Sequence, residues 1–278
     1  MKNLVLNNNS RFCQHVITIL GDRLRRQQAF FKPEVDWGTI AGVLMLFGQK
    51  PGSSKSVAEP CLVLNKRSLK VRQPGDLCFP GGSIAPHIDP YLARIFSLPF
   101  SSLGRWRYWS AWKKNHSGQA KTMSIVWATG MREGFEEMRL NPFGVNFLGP
   151  LPPQPLVMFR RTIYPMAGWI KRQKRFYPNW EVEKVLFVAL NDLLNPDLYG
   201  RYRLQMGGTS GRAGAVPVRE FPCFRIQGRN QKEILWGATY RITVDFLKLA
   251  FDFQPPALQS LAVIEGALDD NYLNGNSR

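Results

Sequence analysis

Near the start of the chain, apolar residues recur at helical spacing. Phe12, Val16, Ile17, Ile19, Leu20 and Leu24 share one side of a segment from Ser10 to Gln28. This predicts a helix with Ser10 at its N-cap and a basic last turn at Arg23, Arg25 and Arg26. Two dense apolar runs follow, Gly38 to Phe47 and Cys61 to Asn65. Their short, continuous character predicts covered strands, joined as a hairpin by the turn-rich residues Gly48 to Lys55. A basic loop and a short strand ending in Gly81 and Gly82 come next. An apolar run from Ile125 predicts a helix reaching Leu140. Further on, Ile163 to Ile170 and Val185 to Leu190 read as strands, with a helical turn near Asn191 to Leu194. Residues 200 to 216, rich in Gly and Arg, predict a mobile basic loop. Phe221 to Ile226 and Glu233 to Leu235 predict a hairpin around Gly228, and Thr239 to Phe251 a final helix. Asp269 to Arg278 are expected to be disordered, and no internal repeat is visible.

Charge narrows the partners. Among 278 residues, 37 are Lys or Arg and only 20 Asp or Glu, a net charge of +17. Such a balance implies an anionic partner, whether a phosphate-rich small molecule, nucleic acid or a membrane surface. Cys13, Cys61, Cys78 and Cys223 stand far apart without C-x-x-C spacing. With His15, His87 and His116 they offer no zinc site, and they read as reduced thiols of a soluble, cytoplasmic protein. No leader pattern and no run of 18 apolar residues predicts a membrane segment.

Against this basic background, the acidic cluster in Arg132-Glu133-Gly134-Phe135-Glu136-Glu137 carries chemistry. At 3.6 residues per turn, Glu133, Glu136 and Glu137 share one helix face. Three neighbouring carboxylates repel unless a cation lies among them, and hard oxygen ligands suit Mg²⁺ or Mn²⁺. Arg132 stands four residues before Glu136 and can pair with it, fixing its orientation. A solvated acidic face is the plain alternative. Upstream, Gly81 and Gly82 allow close approach of a ligand or helix, with Arg67 and Arg72 adding positive charge nearby.

Together these stretches resemble the Nudix hydrolases, whose box runs Gly, five residues, Glu, seven residues, then Arg-Glu-apolar-x-Glu-Glu-x-Gly-apolar. Val63 to Gly82 resembles the additional signature of the coenzyme A pyrophosphatase-like subgroup: an apolar strand, Arg-Ser, a second Arg, Pro-Gly and Phe-Pro-Gly-Gly. Leu148 to Pro153, Pro178 to Val182 and Trp236 to Ile242 look like later blocks of that subgroup, so the resemblance spans residues 36 to 254. It departs from the box in several places. Between Gly82 and Arg132 stand 49 residues where the box has 13, an insertion of about 36. The first Glu of the box has no clear equivalent, and Asp89 is the nearest acidic residue. Gly134 occupies the apolar position, Arg139 stands where the box has Gly, and the spacing from Arg72 to Gly75 is one residue short.

The inserted stretch, about 86–122, interleaves Tyr91, Phe96, Phe100, Trp106, Tyr108, Trp109 and Trp112 with Arg94, Arg105, Arg107, Lys113 and Lys114. Such a pattern suits base stacking with phosphate contacts, or an appended unit whose aromatics pack on the domain, or a membrane or dimer contact.

The resemblance implies an α/β/α sandwich, with a mixed sheet between helices and the acidic helix beside the glycine-ended strand. The organisation expected is an N-terminal helix in 1–35, a Nudix domain in 36–254 and a tail in 255–278. The activity implied is metal-dependent hydrolysis of a diphosphate linkage in a nucleotide derivative, coenzyme A or an acyl derivative first. Its products would be adenosine 3′,5′-bisphosphate and a 4′-phosphopantetheine species. ADP-ribose, NAD or a dinucleotide polyphosphate is the alternative substrate. A catalytically weakened relative that binds nucleic acid is the alternative from another class. By the same resemblance Glu133, Glu136 and Glu137 hold metal, and Arg132, Glu136, Glu137 and Glu181 serve catalysis. Arg67, Arg72, Gly81 and Gly82 meet substrate. Glu183 lies two residues from Glu181 and on a regular strand would point the same way. A homodimer is left open, and contact with nucleic acid or membrane is not favoured.

Overall fold

The computed structural model describes residues 5–26, 30–31, 36–50, 59–156, 161–206, 218–227, 232–268 and 272. In chain order the helices are α1 (Asn9–Arg26), α2 (Asp89–Phe96), α3 (Trp109–Asn115), α4 (Ser117–Met138), α5 (Leu190–Leu193) and α6 (Gly237–Phe251). The strands are β1 (Ile40–Gln49), β2 (Pro60–Arg67), β3 (Leu77–Cys78), β4 (Gly81–Ser83), β5 (Val145–Pro150) and β6 (Gln154–Leu156). Then come β7 (Arg161–Ile170), β8 (Val182–Ala189), β9 (Tyr199–Met206), β10 (Val218–Gln227), β11 (Lys232–Leu235) and β12 (Val263–Leu268).

The main sheet is mixed, ordered β3-β2-β1-β7-β5, with β4 paired to β1, β6 to β7 and β8 to β2. The hairpin of β1 and β2 forms as expected, while β1 and β7 run parallel from Ile40 opposite Thr162 to Phe47 opposite Trp169. Alternation along β1 sends side chains to two cores. Met45 and Phe47 pack with Phe12, Val16 and Leu20 of α1 and with Phe246 of α6. Leu44 and Leu46 face the other way, against Met123, Trp127 and Met131 of α4. Helices therefore cover both faces, which gives the α/β/α sandwich.

Several local expectations are corrected. Asn8, not Ser10, caps α1, its side chain accepting from the Arg11 N–H at 3.0 Å. Residues 200–206 of the expected mobile loop form β9, since Tyr199, buried against Phe224 and Phe253, anchors them in a sheet. The rest of that loop, 207–217, lies outside the described residues, as do Arg160, Gly228 and the connector from Pro51. The stretch after 254 is more than a tail, because β12 pairs in parallel with β9 and completes a second sheet, β11-β10-β9-β12. Within the segment expected to be disordered, Tyr272 is buried, its carbonyl accepting from the Gln73 N–H at 2.8 Å. The other residues of that segment lie outside the described ones.

In the 86–122 stretch, Phe96, Trp106, Trp109 and Trp112 are buried in the α4-side core. Trp127 of α4 and Trp106 both meet Phe147 edge-on, at 4.8 and 5.1 Å. These rings are therefore taken by packing, while Tyr91 and Phe100 remain exposed. Among the described residues, no helix is long and apolar enough to cross a membrane.

Candidate active site

Helix α4 delivers the acidic cluster to the glycine-ended strand. At Gly82 a Cβ would meet Glu133 Oε1 at 2.4 Å, and at Gly81, where φ is +153°, it would strike the Gly42 carbonyl at 2.4 Å. A larger residue at Gly82 pushes Glu133 off the strand, and one at Gly81 pushes β4 off β1. Gly134, a poor helix former, is explained the same way, since its absent Cβ would lie 2.9 Å from Leu140 Cδ2. The helix forgoes about 1 kcal/mol of propensity there to close on Leu140.

Arg132 organises the charges. Its Nε donates to Asp89 Oδ1 at 2.8 Å and its Nη2 to Asp89 Oδ2 at 3.3 Å and to the Ser83 carbonyl at 3.1 Å. Its Nη1 lies 3.0 Å from Glu133 Oε1 and 3.2 Å from Glu136 Oε2, so the expected pairing of Arg132 with Glu136 is present. Asp89 is fully buried and also accepts from Thr129 Oγ1 at 2.8 Å and from the Ala85 N–H at 2.7 Å.

Glu137 turns the other way, to a neighbour the sequence reading missed. Asn65 Nδ2 donates to Glu137 Oε2 at 2.8 Å, and the Gly81 N–H is directed at the same carboxylate. The available signal was a lone amide closing the apolar run of β2. Burial pushes Glu137 up to about 8, with the charges of Glu133 and Glu181 adding to the shift. Burial also holds Glu133 above the ordinary carboxylate range, despite Arg132. Asn65 Oδ1 is buried without a hydrogen-bond partner.

Among the described residues, no three His, Cys, Asp or Glu side chains are grouped as a metal cluster. Arg132 draws Glu133 and Glu136 to itself while Glu137 faces Asn65. The donor chemistry still suits a hard divalent cation: three carboxylates on one helix face, one of them buried, next to an orphan amide oxygen.

Glu181 reaches this site because its segment is docked onto the end of α4. The Asn179 N–H donates to the Glu137 carbonyl at 2.8 Å and the Tyr177 N–H to that of Met138 at 3.1 Å. Glu181 therefore raises the pKa of both Glu133 and Glu137. Glu183 does not share its direction. Lys66 lies opposite Lys184 but Arg67 lies opposite Val182, so Glu183 sits in a bulge and pairs with Lys66 at 3.3 Å. In the basic loop, Arg67 Nε donates to the Arg72 carbonyl at 2.7 Å, and Arg72 itself is exposed. None of the thiols supplies a nucleophile at neutral pH. Burial pushes Cys13 and Cys78 up to about 12, and Cys61 and Cys223 to about 11.

No family model and no curated protein matches the chain. Similar solved structures include a MutT/nudix family protein from Enterococcus faecalis, 11% identical, with 88% of this chain and 75% of that one covered at a TM-score of 0.38. An Ap4A hydrolase binary complex from C. elegans is 11% identical over 56% of this chain and 83% of that one, at 0.35. The NUDIX domain of Shewanella oneidensis NrtR, complexed with ADP ribose, is 16% identical over 62% and 84%, at 0.33.

Proposed function

We propose that this chain is a hydrolase of the Nudix type that cleaves the diphosphate linkage of a nucleotide derivative, with coenzyme A or an acyl-coenzyme A as its favoured substrate. One observation carries the reading. Glu137 is a carboxylate only 8% exposed, with its pKa raised to about 8, hydrogen-bonded by Nδ2 of Asn65, the Oδ1 of which is buried without a partner. A buried acid in that state gains most from a bound cation.

Glu133, Glu136 and Glu137 would hold Mg²⁺ or Mn²⁺, which supplies charge neutralisation for the diphosphate and lowers the pKa of a coordinated water. Arg132, itself fixed by Asp89, orients Glu133 and Glu136. Gly82 lets Glu133 lie close against the strand, and Gly81 lets β4 close on β1, and substrate would meet the carboxylates beside them. Glu181, whose charge is felt by Glu133 and Glu137, would take the proton from the attacking water. In the flanking segments, Lys174, Arg175, Tyr177, Glu183, Lys184 and Phe187 line an open cleft of about 430 Å³, whose rings and cations would suit a base with its phosphates.

The preference for coenzyme A rests on the upstream Val63 to Gly82 stretch, where Arg67 and Arg72 are offered as a clamp for the 3′-phosphate. Chromatographic detection of the two phosphorylated products from coenzyme A, 3′-dephospho-coenzyme A, ADP-ribose and dinucleotide polyphosphates, each with Mg²⁺ or Mn²⁺, tests both levels. Turnover led by coenzyme A, with the larger loss on that substrate in Arg67→Ala or Arg72→Ala, supports the full reading. Turnover led by ADP-ribose or a dinucleotide leaves the diphosphate hydrolase and removes the coenzyme A preference. No turnover of any of them defeats the reading.

A further inference from the structure

Across the sheet from the carboxylates, at the β5 edge, a separate pocket of about 350 Å³ opens between α1, the 102–107 turn and the ends of β5 and β7. We propose that it binds a phosphate-bearing small molecule, held by Arg105, Arg107 and Lys171 over a floor formed by Trp106 and Phe147.

The cations come from two places far apart in sequence, Arg105 and Arg107 from the 102–107 turn and Lys171 from just past β7, and meet in one concavity. No carboxylate lines it. The ion pairs formed among the described residues leave all three side chains out. Arg107 is held in place, its Nη2 donating to Thr18 Oγ1 at 2.9 Å and its guanidinium lying 4.7 Å from the Tyr108 ring centroid. Lys171 is held below the ordinary lysine range, first by burial and then by the charges of Arg105 and Arg172. Cations gathered without a counter-charge repel one another, and an anion entering the pocket reverses the sign of that interaction.

The pocket also offers neutral donors. Asn146, on β5, and Gln14, on α1, line it, and both amides can donate to phosphate oxygens. The floor is rigid, because Trp106 and Phe147 are buried and Trp106 Nε1 donates to the Leu148 carbonyl at 3.2 Å. A concave, apolar-floored recess with converging cations is the form of a small-molecule site, whereas a polynucleotide favours an open track of charge.

The test is calorimetric titration with pyrophosphate and with ADP in buffer containing EDTA, which keeps divalent cations from the carboxylate site. One equivalent of either probe should bind the intact chain. Arg105→Ala and Lys171→Ala should each weaken it about ten- to a hundred-fold, as loss of one charged hydrogen bond predicts, while Lys171→Arg should retain it. Lys113→Ala with Lys114→Ala, exposed cations outside the pocket, should bind like the parent. Equal weakening in that control would reduce the effect to general charge attraction and overturn the proposal. So would unchanged binding in Arg105→Ala and Lys171→Ala, or no binding of either probe, or dependence on these residues only for a single-stranded oligonucleotide. Since the carboxylates take no part, loss of hydrolysis in a Glu137 variant leaves every one of these outcomes readable.

Discussion

The guanidinium of Arg132 grips the carboxylate of Asp89 through two of its nitrogens, at 2.8 and 3.3 Å, although 42 residues separate them in sequence. Asp89 has no exposed surface and Arg132 keeps 13% of its side chain accessible. The acid that meets Arg132 thus comes from the start of α2. Replacing it by Asp89→Asn leaves Arg132 only partly compensated. Removing one partner of a buried pair costs on the order of 3 kcal/mol, which urea unfolding should register. Thr129 and the Ala85 N–H retain an acceptor in the Asn variant, so the fold should survive at reduced stability. A change smaller than about 0.5 kcal/mol, the level of an ordinary surface substitution, would show that this pair does not hold the site.

Glu137→Gln preserves size and removes one carboxylate from the proposed metal site. Activity should fall by orders of magnitude while the unfolding midpoint changes little, since the parent carboxylate is already costly where it sits. The same variant should require far more Mg²⁺ or Mn²⁺ to reach its residual rate. Normal turnover and an unchanged metal titration would return this face to a solvated acidic surface.

Glu181 and Glu183 make a paired test. With Glu181 docked beside the carboxylates and Glu183 turned by the bulge onto Lys66, only Glu181→Gln should alter the pH–rate profile. The acidic limb should be lost or displaced in that variant. In Glu183→Gln it should stay in place, and a reversed result would reassign the base.

What the sequence disclosed and what it hid follow one physical division. The helix period of Glu133, Glu136 and Glu137 is local, so their common face was readable, and so was the pairing of Arg132 with Glu136. The alternation of strands around the acidic helix likewise pointed to a covered sheet. Asn65 could not be placed, because its partner lies 72 residues away and nothing local says which face of β2 meets α4. The bulge at Glu183 was hidden for the same reason, since register is a property of two strands. The 86–122 stretch showed aromatics beside cations, yet whether a ring stacks on a ligand or on the core depends on what distant elements place beneath it. Phe147 of β5, met edge-on, settles that for Trp106.

Glu233 gives a pH dependence of stability. Burial acts to raise its pKa, but hydrogen bonds from Lys184 and Lys66, at 2.8 and 3.1 Å, outweigh that and leave it lowered. A carboxylate lowered on folding contributes stability that is fully present above its unfolded pKa and lost as pH falls through the folded one. The parent should therefore lose this increment below about pH 4.5, the ordinary Glu value given for the unfolded chain. Glu233→Gln should be less stable at pH 7, and the gap between the two should narrow as the pH is taken down to about 3, below ordinary carboxylate values. A gap that stays constant over that range would mean the ion pairs contribute nothing to it.

Arg139 closes α4 in the left-handed conformation, with φ 55° and ψ 39°, where the box motif has glycine. For a residue with a Cβ this conformation costs roughly 1–2 kcal/mol, and glycine adopts it freely at a helix C-terminus. The guanidinium recovers part of that cost by lying 5.0 Å from the Phe135 ring centroid, worth about 0.5–1 kcal/mol at an exposed site. Arg139→Ala discards the ring contact and keeps the strain, so it should be less stable than the parent. Arg139→Gly discards both, and should exceed Arg139→Ala by about 1 kcal/mol in chemical unfolding. The comparison isolates the backbone, because both variants lack the same cation. If the two unfold at the same denaturant concentration, the strain is not there, and glycine at this point of the box would answer to something other than helix termination.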